Sequence, residues 1–382
     1  MYVIPRPAFT VGIEEEYLLV DRDSGELVSD PSPDTWASAQ EALGVRVVPE
    51  FLRAQIEVAT NVNDDVVQAG AELGHMRSTL ARILGEHGAA IMAASTHPSA
   101  LWWEQQHTDR DRYKVMAEDL GMVARRMVIC GMHVHAGIED PDLRIDLMNQ
   151  VRYFLPHLLT LSTSSPFWGT RNTGLKSYRI STFRTMPRTG LPEEFASWSE
   201  YQRHVDVLVR AQIIEDSSKI WWDVRPSARF PTLEMRITDV CTRVEDSVTI
   251  AALYLSILHM LYRLRRNNQR WRQYAPMLIS ENIWRAQRYG IEGSLMDFGK
   301  GVLIPFADLV EEMIEIVTPD ADELGCLPHI ERARDIVKEG TSADRQIQVV
   351  KTAVAEGATN DEALRALVQY LITDTQHGLA PA

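Results

Sequence analysis

A chain of 382 residues is long enough to bury a sizeable core, as one large domain or two fused ones, and 45% hydrophobic with 24% charged residues is the balance of an ordinary globular protein. The formal charge of −14 argues against non-specific nucleic-acid binding, although a local basic pocket is compatible with it. Three scattered cysteines, Cys130, Cys241 and Cys326, show no CxxC spacing, so neither a zinc–thiolate site nor a disulfide framework is expected, and a cytoplasmic location fits. The opening Met-Tyr-Val-Ile-Pro-Arg-Pro is not expected to act as a signal peptide, and with no apolar run of about 18 residues no membrane partner is expected.

In chain order, residues 11–21 read as a strand, followed by a turn at Arg22-Asp23-Ser24-Gly25 and a polar loop containing Pro31 and Pro33. Strands are expected over 45–48 and 55–60. Asp64 or Asp65 can cap a helix running to about Gly88. A short strand over 91–95, a helix over 110–124 and a strand over 128–138 follow. Asp140-Pro141 opens a helix to about Ser164, with proline at a position where its missing N–H costs little. Residues 165–190 are irregular and basic, as functional loops often are. Next come a helix over 192–211 and strands over 221–225 and 232–239. Helices are then expected over 245–267, 275–289, 305–317, 321–339, 342–356 and 360–376, with Gly340, Gly357 and Gly378 where helices should stop. The order predicts a single domain over 1–382, β-rich over about 8–240 and helical over about 243–377. Without regular βαβα alternation the fold class is α+β with a mostly antiparallel sheet. The apolar helical last third could support a homodimer.

Four of these strands carry one apolar and one chemically loaded face. Successive strand residues point to opposite sides, so Glu14 and Glu16 share a face and lie roughly 7 Å apart, while Glu15 points the other way with Ile13 and Tyr17. Glu57 stands apart from Ile56 and Val58, and His133 and His135 from Met132, Val134 and Ala136. Glu234 and Arg236 oppose Leu233, Met235 and Ile237. Such a triplet could be a solvated edge, and Glu234 with Arg236 a plain ion pair. Four strands patterned alike favour a cleft lined by ligands for a hard divalent cation. Glu50, seven residues before Glu57, faces the wrong way unless the chain bends near Arg53-Ala54. Glu15, among apolar neighbours, should meet an arginine or a helix N-terminus.

The basic residues Arg171, Lys176, Arg179, Arg184, Arg188, Arg225 and Arg229 lie in or near irregular segments, where guanidinium forks suit phosphate or carboxylate. Arg285 and Arg288 share a helix face. Carboxylates for metal beside arginines for anions point to phosphoryl transfer from Mg-ATP, yet no GxxxxGK[ST], kinase-type GxGxxG or GxSxG motif occurs. Metal ions and arginines would therefore carry the triphosphate. Two rival readings use the same residues: a metal-dependent hydrolase or transferase without ATP, and a nucleotide- or metabolite-binding sensor.

The segments Gly12-Ile13-Glu14-Glu15-Glu16-Tyr17, Gly131-Met132-His133-Val134-His135, Trp221-Trp222-Asp223-x-Arg225-Pro226 and Pro231-Thr232-Leu233-Glu234-x-Arg236 resemble the type 2 glutamate–cysteine ligases, also described as carboxylate–amine ligases. Thr173-Gly174-x-x-Ser177-Tyr178-Arg179, Trp284-Arg285-Ala286-x-Arg288-Tyr289-Gly290 and Gly340-Thr341-Ser342-Ala343-Asp344-Arg345-Gln346 extend the resemblance over nearly the whole chain. It implies a glutamine-synthetase-like curved sheet holding ATP and Mg²⁺ (or Mn²⁺), with helices on its convex side. It also implies amide formation between glutamate or a similar acid and cysteine or another amine, through an acyl phosphate. By this resemblance Glu14, Glu16, Glu50, Glu57, His133 and Glu234 are the metal ligands. Arg236, Arg179 and His135 act on the reacting groups, and His133, Arg225, Arg171, Lys176 and Arg285 hold the nucleotide. Asn172 stands where the family often has Asp, and Ser227 where it often has His.

Overall fold

Residues Val11–Asp21 form a single eleven-residue strand, β1, in the computed structural model, which describes residues 5–109 and 111–380 and, for residues 112 and 114–116, the backbone alone. Alternation of β-branched and acidic residues suits a half-buried pleat. Around it lie β2 (Val47–Pro49), β3 (Gln55–Ala59), β4 (Ala89–Met92), β5 (Met132–Gly137), β6 (Val224–Pro226) and β7 (Thr232–Met235). The seven strands run in the order β6-β7-β5-β1-β3-β2, with β4 paired to the second half of β1. All these pairs are antiparallel. The α+β class with an antiparallel sheet is thus the observed fold.

The register decides which side chains share a face, because residues directly opposite across two strands point the same way. Glu14 stands opposite His133, Glu16 opposite Glu57, and Glu234 opposite both His135 and Arg225. The reverse face carries Val11, Ile13, Tyr17, Val58, Val134 and Met235, all buried. The helices Val66–Glu86 and Val244–Arg266 pack behind it. They approach closely at Gly70, where an added Cβ would sit 2.5 Å from Val248 Cγ2. Asp65 caps the first helix by accepting the Gln68 N–H at 2.8 Å. The second is long and apolar enough to cross a membrane, but nearly all of it is buried in the core of this protein. One hydrophobic cluster runs from Phe9 to Ile372.

Several elements differ from the sequence reading. The loop expected around Pro31 and Pro33 is instead the helix Pro33–Leu43, with Ser32 as N-cap and Pro33 in the first turn. The helix expected over 140–164 is divided into Pro141–Val151 and Leu155–Ser162, with Pro156 in the first turn of the second. The helix expected from residue 192 starts at Trp198, after the Ser197 cap. A hairpin, Ser294–Asp297 with Val302–Pro305, occupies a stretch left without an element. Phe306–Glu323 runs past residue 317, and 321–339 breaks into Leu327–Glu331 and Ala333–Glu339.

Glu15 lies on the apolar face and is fully buried beside an equally buried Arg77 from the helix Val66–Glu86. Arg77 Nε and Nη2 donate to Glu15 Oε2 at 2.9 and 2.7 Å, Nη1 to the Thr242 carbonyl at 2.6 Å and Nη2 to the Cys241 carbonyl at 2.8 Å. Tyr17 and Ser247 donate their hydroxyls to the same carboxylate. The arginine expected for Glu15 is therefore Arg77. Truncating one partner strands the other charge. Arg77→Met should destabilise the fold by about 3–5 kcal/mol, whereas Arg77→Met combined with Glu15→Met should recover most of that loss. Urea or thermal unfolding of the three proteins checks this, and equal losses in the single and double variants would contradict it.

Candidate functional site

The polar face of the sheet forms the floor of a cleft of about 630 Å³. Two ligand groups stand on it. Glu14 of β1, His135 of β5 and Glu234 of β7 present one donor atom each within 4.8 Å of one another, and Glu16, Glu50 and Glu57 do the same. Strand parity produces both groups, since Glu14 and Glu16 are two residues apart. Glu50 arrives through the expected change of direction at Arg53-Ala54. That change is a full reversal: β2 and β3 form an antiparallel hairpin, and Glu50 sits at its turn with its N–H donating to the Gln55 carbonyl at 3.3 Å.

In the first group, His133 Nδ1 lies 3.1 Å from Glu14 Oε2 and His135 Nε2 lies 3.2 Å from Glu14 Oε1. Thr232 Oγ1 meets His135 Nδ1 at 2.9 Å and sets the ring plane. His135 Nε2 is buried and has no well-aligned hydrogen-bond partner among the described residues. Such a nitrogen, aimed between carboxylates, fits a metal ligand. Arg225 grips Glu234 with Nε and Nη2 at 2.9 and 3.2 Å, and its Nη1 is fixed by the Ser218 and Ile220 carbonyls at 2.9 and 2.7 Å. Arg236 also bonds Glu234 and comes within 3.3 Å of His133 Nδ1.

In the second group, Glu16 Oε2 accepts the Gly131 N–H at 2.7 Å. Arg179, from the helix Tyr178–Phe183, lies alongside with Nη1 and Nη2 donating to the Ile237 and Arg236 carbonyls at 3.1 Å each. Gly131 is required there, because a Cβ would stand 2.3 Å from Arg179 Nη2. Asp239 lies below as a buried hub, accepting from the Ser164 N–H and the Ser165 and Ser177 hydroxyls.

The two groups differ electrostatically. Burial alone would raise Glu14, but the His133 and His135 rings beside it hold it well below the usual carboxylate range. Burial likewise opposes ionisation of Glu234, and the Arg236 and Arg225 charges overcome it, so its pKa is lowered. In the second group nothing comparable offsets the repulsion. Burial and the neighbouring Glu50 push Glu16 up to about 7. Burial, with Glu50, Glu14 and Glu16 adding repulsion, lifts Glu57 well above its ordinary value. Burial and the Arg236 charge bring His133 down to about 4, so it is neutral at pH 7. His135 is raised, because Glu14 and Glu234 outweigh its burial. Five carboxylates and an imidazole form a donor set that suits Mg²⁺ or Mn²⁺.

The candidates Glu14, Glu16, Glu50, Glu57, His133, His135, Arg179, Arg225, Glu234 and Arg236 all line this cleft. His133 and His135 exchange emphasis: His135 joins a three-ligand group, while His133 bridges Glu14 and Arg236. Three expected nucleotide contacts stand outside the cleft. Arg171 is exposed on the short hairpin Phe167–Trp168 with Arg171–Asn172, facing a shallow depression shared with Lys351 and Asn360. Lys176 is held by Asp344 and by Glu292 at 3.3 Å. Arg285 Nε donates to the Ser294 carbonyl at 2.6 Å and the guanidinium lies over Tyr289. The first half of the basic loop thus packs on the C-terminal helices, and Arg179 is the member of that loop's basic set that enters the cleft. Arg184 is tied to buried Asp223 at 2.9 Å. The cleft walls include Tyr113, Phe183, Met186 and Phe230, which no periodic signal singled out.

The sequence pattern described as Glutamate-cysteine ligase family 2 (GCS2) matches residues 10–369. A "Putative glutamate--cysteine ligase 2" of Rhodospirillum rubrum is 59% identical over 373 residues, covering 97% of this chain and 96% of its own. One of the same name from Jannaschia sp. is 51% identical over 366 residues, covering 96% of each. Among solved structures, a glutamate–cysteine ligase from Francisella tularensis in complex with AMP matches with a TM-score of 0.70 at 15% identity, over 99% of this chain and 91% of that one. A bifunctional glutathione synthetase from Pasteurella multocida matches with a TM-score of 0.68 at 14% identity, over 96% of this chain and 52% of that one. At these identities the structural likeness is one of fold.

Protonation of Glu16 and Glu57 stabilises the cation-free protein. Both folded pKa values are raised, so the contribution is fully present below the ordinary carboxylate range; for Glu16 it is lost as pH rises through about 7, and for Glu57 the shift has the same direction. A divalent cation held by this group would take the place of those protons. The rise in melting temperature on adding Mg²⁺ should therefore be larger at about pH 8 than at about pH 6, and EDTA should abolish it. Equal rises at both pH values would rule out this group as the cation site.

Proposed function

The chain belongs to the glutamate–cysteine ligase family 2, and from that premise we propose that it is an ATP- and Mg²⁺-dependent carboxylate–amine ligase. The observation carrying this reading is the pairing of two three-ligand groups with Arg179, Arg225 and Arg236 on one sheet face. The acid is glutamate or a similar carboxylate, and the amine is cysteine or another primary amine. A carboxylate oxygen of the acid bonds the γ-phosphorus of ATP as the β–γ bridging bond breaks, giving an acyl phosphate and ADP. The amine nitrogen then bonds the acyl carbon, phosphate leaves, and the nitrogen gives up its proton to solvent. The AMP complex of the Francisella tularensis enzyme supports nucleotide use on this fold.

Bound cations would offset charge on the triphosphate and on the incoming carboxylate. Glu14, His135 and Glu234 would hold one cation, and Glu16, Glu50 and Glu57 another. Arg236, held by Glu234 beside neutral His133, supplies the positive charge next to the transferring phosphoryl group. Arg225 orients Glu234 through its two-pronged contact and adds charge for the phosphates. Arg179 donates only to main-chain carbonyls, so it fixes the start of the 236–239 segment and lends charge to the Glu16 group. Neither a hydrolase working without nucleotide nor a sensor that only binds a nucleotide or metabolite needs both the arginines and the two ligand groups.

Replacing Glu14 and Glu16 together by Gln should lower ATP turnover by at least ~10³-fold. The fold should survive, because the change removes charge from a crowded face. Full activity in this variant would overturn the metal assignment. Product analysis should find ADP and phosphate in equal amounts, and AMP with pyrophosphate would replace the acyl-phosphate route by adenylation.

A further inference from the structure

The short hairpin Phe167–Trp168 with Arg171–Asn172 turns at Gly169 and Thr170, whose φ angles are 53° and 67°. A two-residue turn of this hand suits glycine at either position, whereas a β-branched residue there is strained. Thr170 is fixed from both sides. Its N–H donates to the Pro98 carbonyl at 3.0 Å, and its own carbonyl accepts the Asn360 side-chain amide at 3.2 Å. Both bonds are made by the main chain, so glycine would make them without strain. The Thr170 hydroxyl has no hydrogen-bond partner among the described residues. Strain retained where a smaller residue would remove it points to a use for the side chain.

Thr170 lines a depression of about 460 Å³ between this hairpin and the helices Ser342–Ala355 and Asn360–Thr375, and the depression shares no lining residue with the cleft. Its polar groups are mainly donors. Arg171 and Lys351 are exposed there and have no ion pair among the described residues, in a chain with a formal charge of −14. Asn172 uses its side-chain oxygen on the Gly174 N–H at 2.8 Å, which leaves its amide NH₂ as a donor. Among the described residues lining the depression, none is Asp or Glu. Glu362, in the first turn of the second helix, lies outside it and accepts the Thr359 N–H and hydroxyl at 2.8 and 2.7 Å. Phe167, which is buried, and half-buried Ile347 and Val350 supply the apolar lining.

We propose that this depression is a second ligand site, taking a small anion that carries a phosphate or carboxylate group beside a compact apolar body. Arg171 and Lys351 supply the charge, and the Asn172 amide and Thr170 hydroxyl donate to the anion's oxygens. Phe167, Ile347 and Val350 cover the apolar body. The site stands independently of the ligase reading. Calorimetric titration of the full chain with phenyl phosphate, benzoate and inorganic phosphate tests it. Phenyl phosphate or benzoate should bind with a Kd at or below about 1 mM, and phenyl phosphate should bind about 10-fold tighter than inorganic phosphate. The tighter of the two aromatic probes identifies the head group.

Arg171→Gln and Lys351→Gln should each weaken binding about 10-fold, Asn172→Asp at least as much, and Thr170→Gly about 3-fold. Arg171, Asn172 and Lys351 are exposed, so their variants should melt within about 2 °C of the parent protein when no anion is present. Arg236→Gln, in the cleft, should leave the affinity unchanged. Loss of binding in Arg236→Gln, with full binding in the Arg171 and Lys351 variants, would place the anion in the cleft and overturn the second site. Absence of binding by all three probes, or an affinity that none of the four substitutions around the depression moves, would overturn it as well. Equal affinity for phenyl phosphate and inorganic phosphate would overturn the apolar half of the proposal.

Discussion

The buried pair of Glu15 and Arg77 fixes where everything else in this protein sits. Three consecutive glutamates on a strand cannot all reach water. Parity sends two to the cleft and drives the third into the core, where it finds Arg77 together with the hydroxyls of Tyr17 and Ser247. Arg77 belongs to the helix Val66–Glu86 and Ser247 to the helix Val244–Arg266, and Arg77 also bonds the carbonyls of Cys241 and Thr242. One carboxylate thus joins the central strand to both backing helices and to the chain that leaves the sheet after β7. A pair this deep is seldom a large net source of stability against an apolar replacement. Its directional bonds hold β1 in one register, and a slip of one residue would turn Glu14 and Glu16 into the core.

On the other face the same repulsion is put to different use. Glu14 and Glu234 are surrounded by histidine and arginine, so they stay ionised at any physiological pH. Glu16 and Glu57 are buried with mostly each other and Glu50, so both hold protons more readily than ordinary carboxylates. A cation entering the first group must compete with the Arg225 and Arg236 contacts to Glu234, whereas one entering the second relieves repulsion. The β1 strand therefore carries two ligand groups of unlike electrostatic character only two residues apart.

Much of this was readable in the sequence because a period of two is unambiguous when one face is apolar and the other acidic. The strands at Glu14, Glu57, His133 and Glu234, their shared face, and the need of Glu15 for a partner all follow from parity alone. The reading fails where periodicity is absent. Arg171, Lys176 and Arg285 have the chemistry for phosphate, but where an irregular loop or a helix face ends up depends on packing with distant segments, here the helices after residue 340 and the hairpin at 294–305. For Glu50 the odd offset from Glu57 already demands a change of direction near Arg53-Ala54, and the hairpin turn there supplies it. The helix Pro33–Leu43 was hidden because Pro-Ser-Pro reads as a turn, although Ser before Pro is also a cap followed by a first-turn proline. Tyr113, Phe183, Met186 and Phe230 carry no such signal, because they reach the cleft from separate segments and none repeats a pattern.

The central position of β1 has a consequence for how the protein is made. β1 is made before every strand it pairs with, and its partners are distributed far along the chain. Arg77 follows Glu15 by 62 residues, Gly131 follows Glu16 by 115, and Ser247 follows Glu15 by 232. One edge of this strand waits for β3, and the other waits for β4 and β5, so the second edge stays open for on the order of ten seconds of synthesis. Contacts this remote slow closure, and an open, partly apolar strand is a template for pairing with other nascent chains. The acidic triplet opposes that outcome, since three adjacent negative charges on an unpaired strand repel an identical strand on a neighbouring chain.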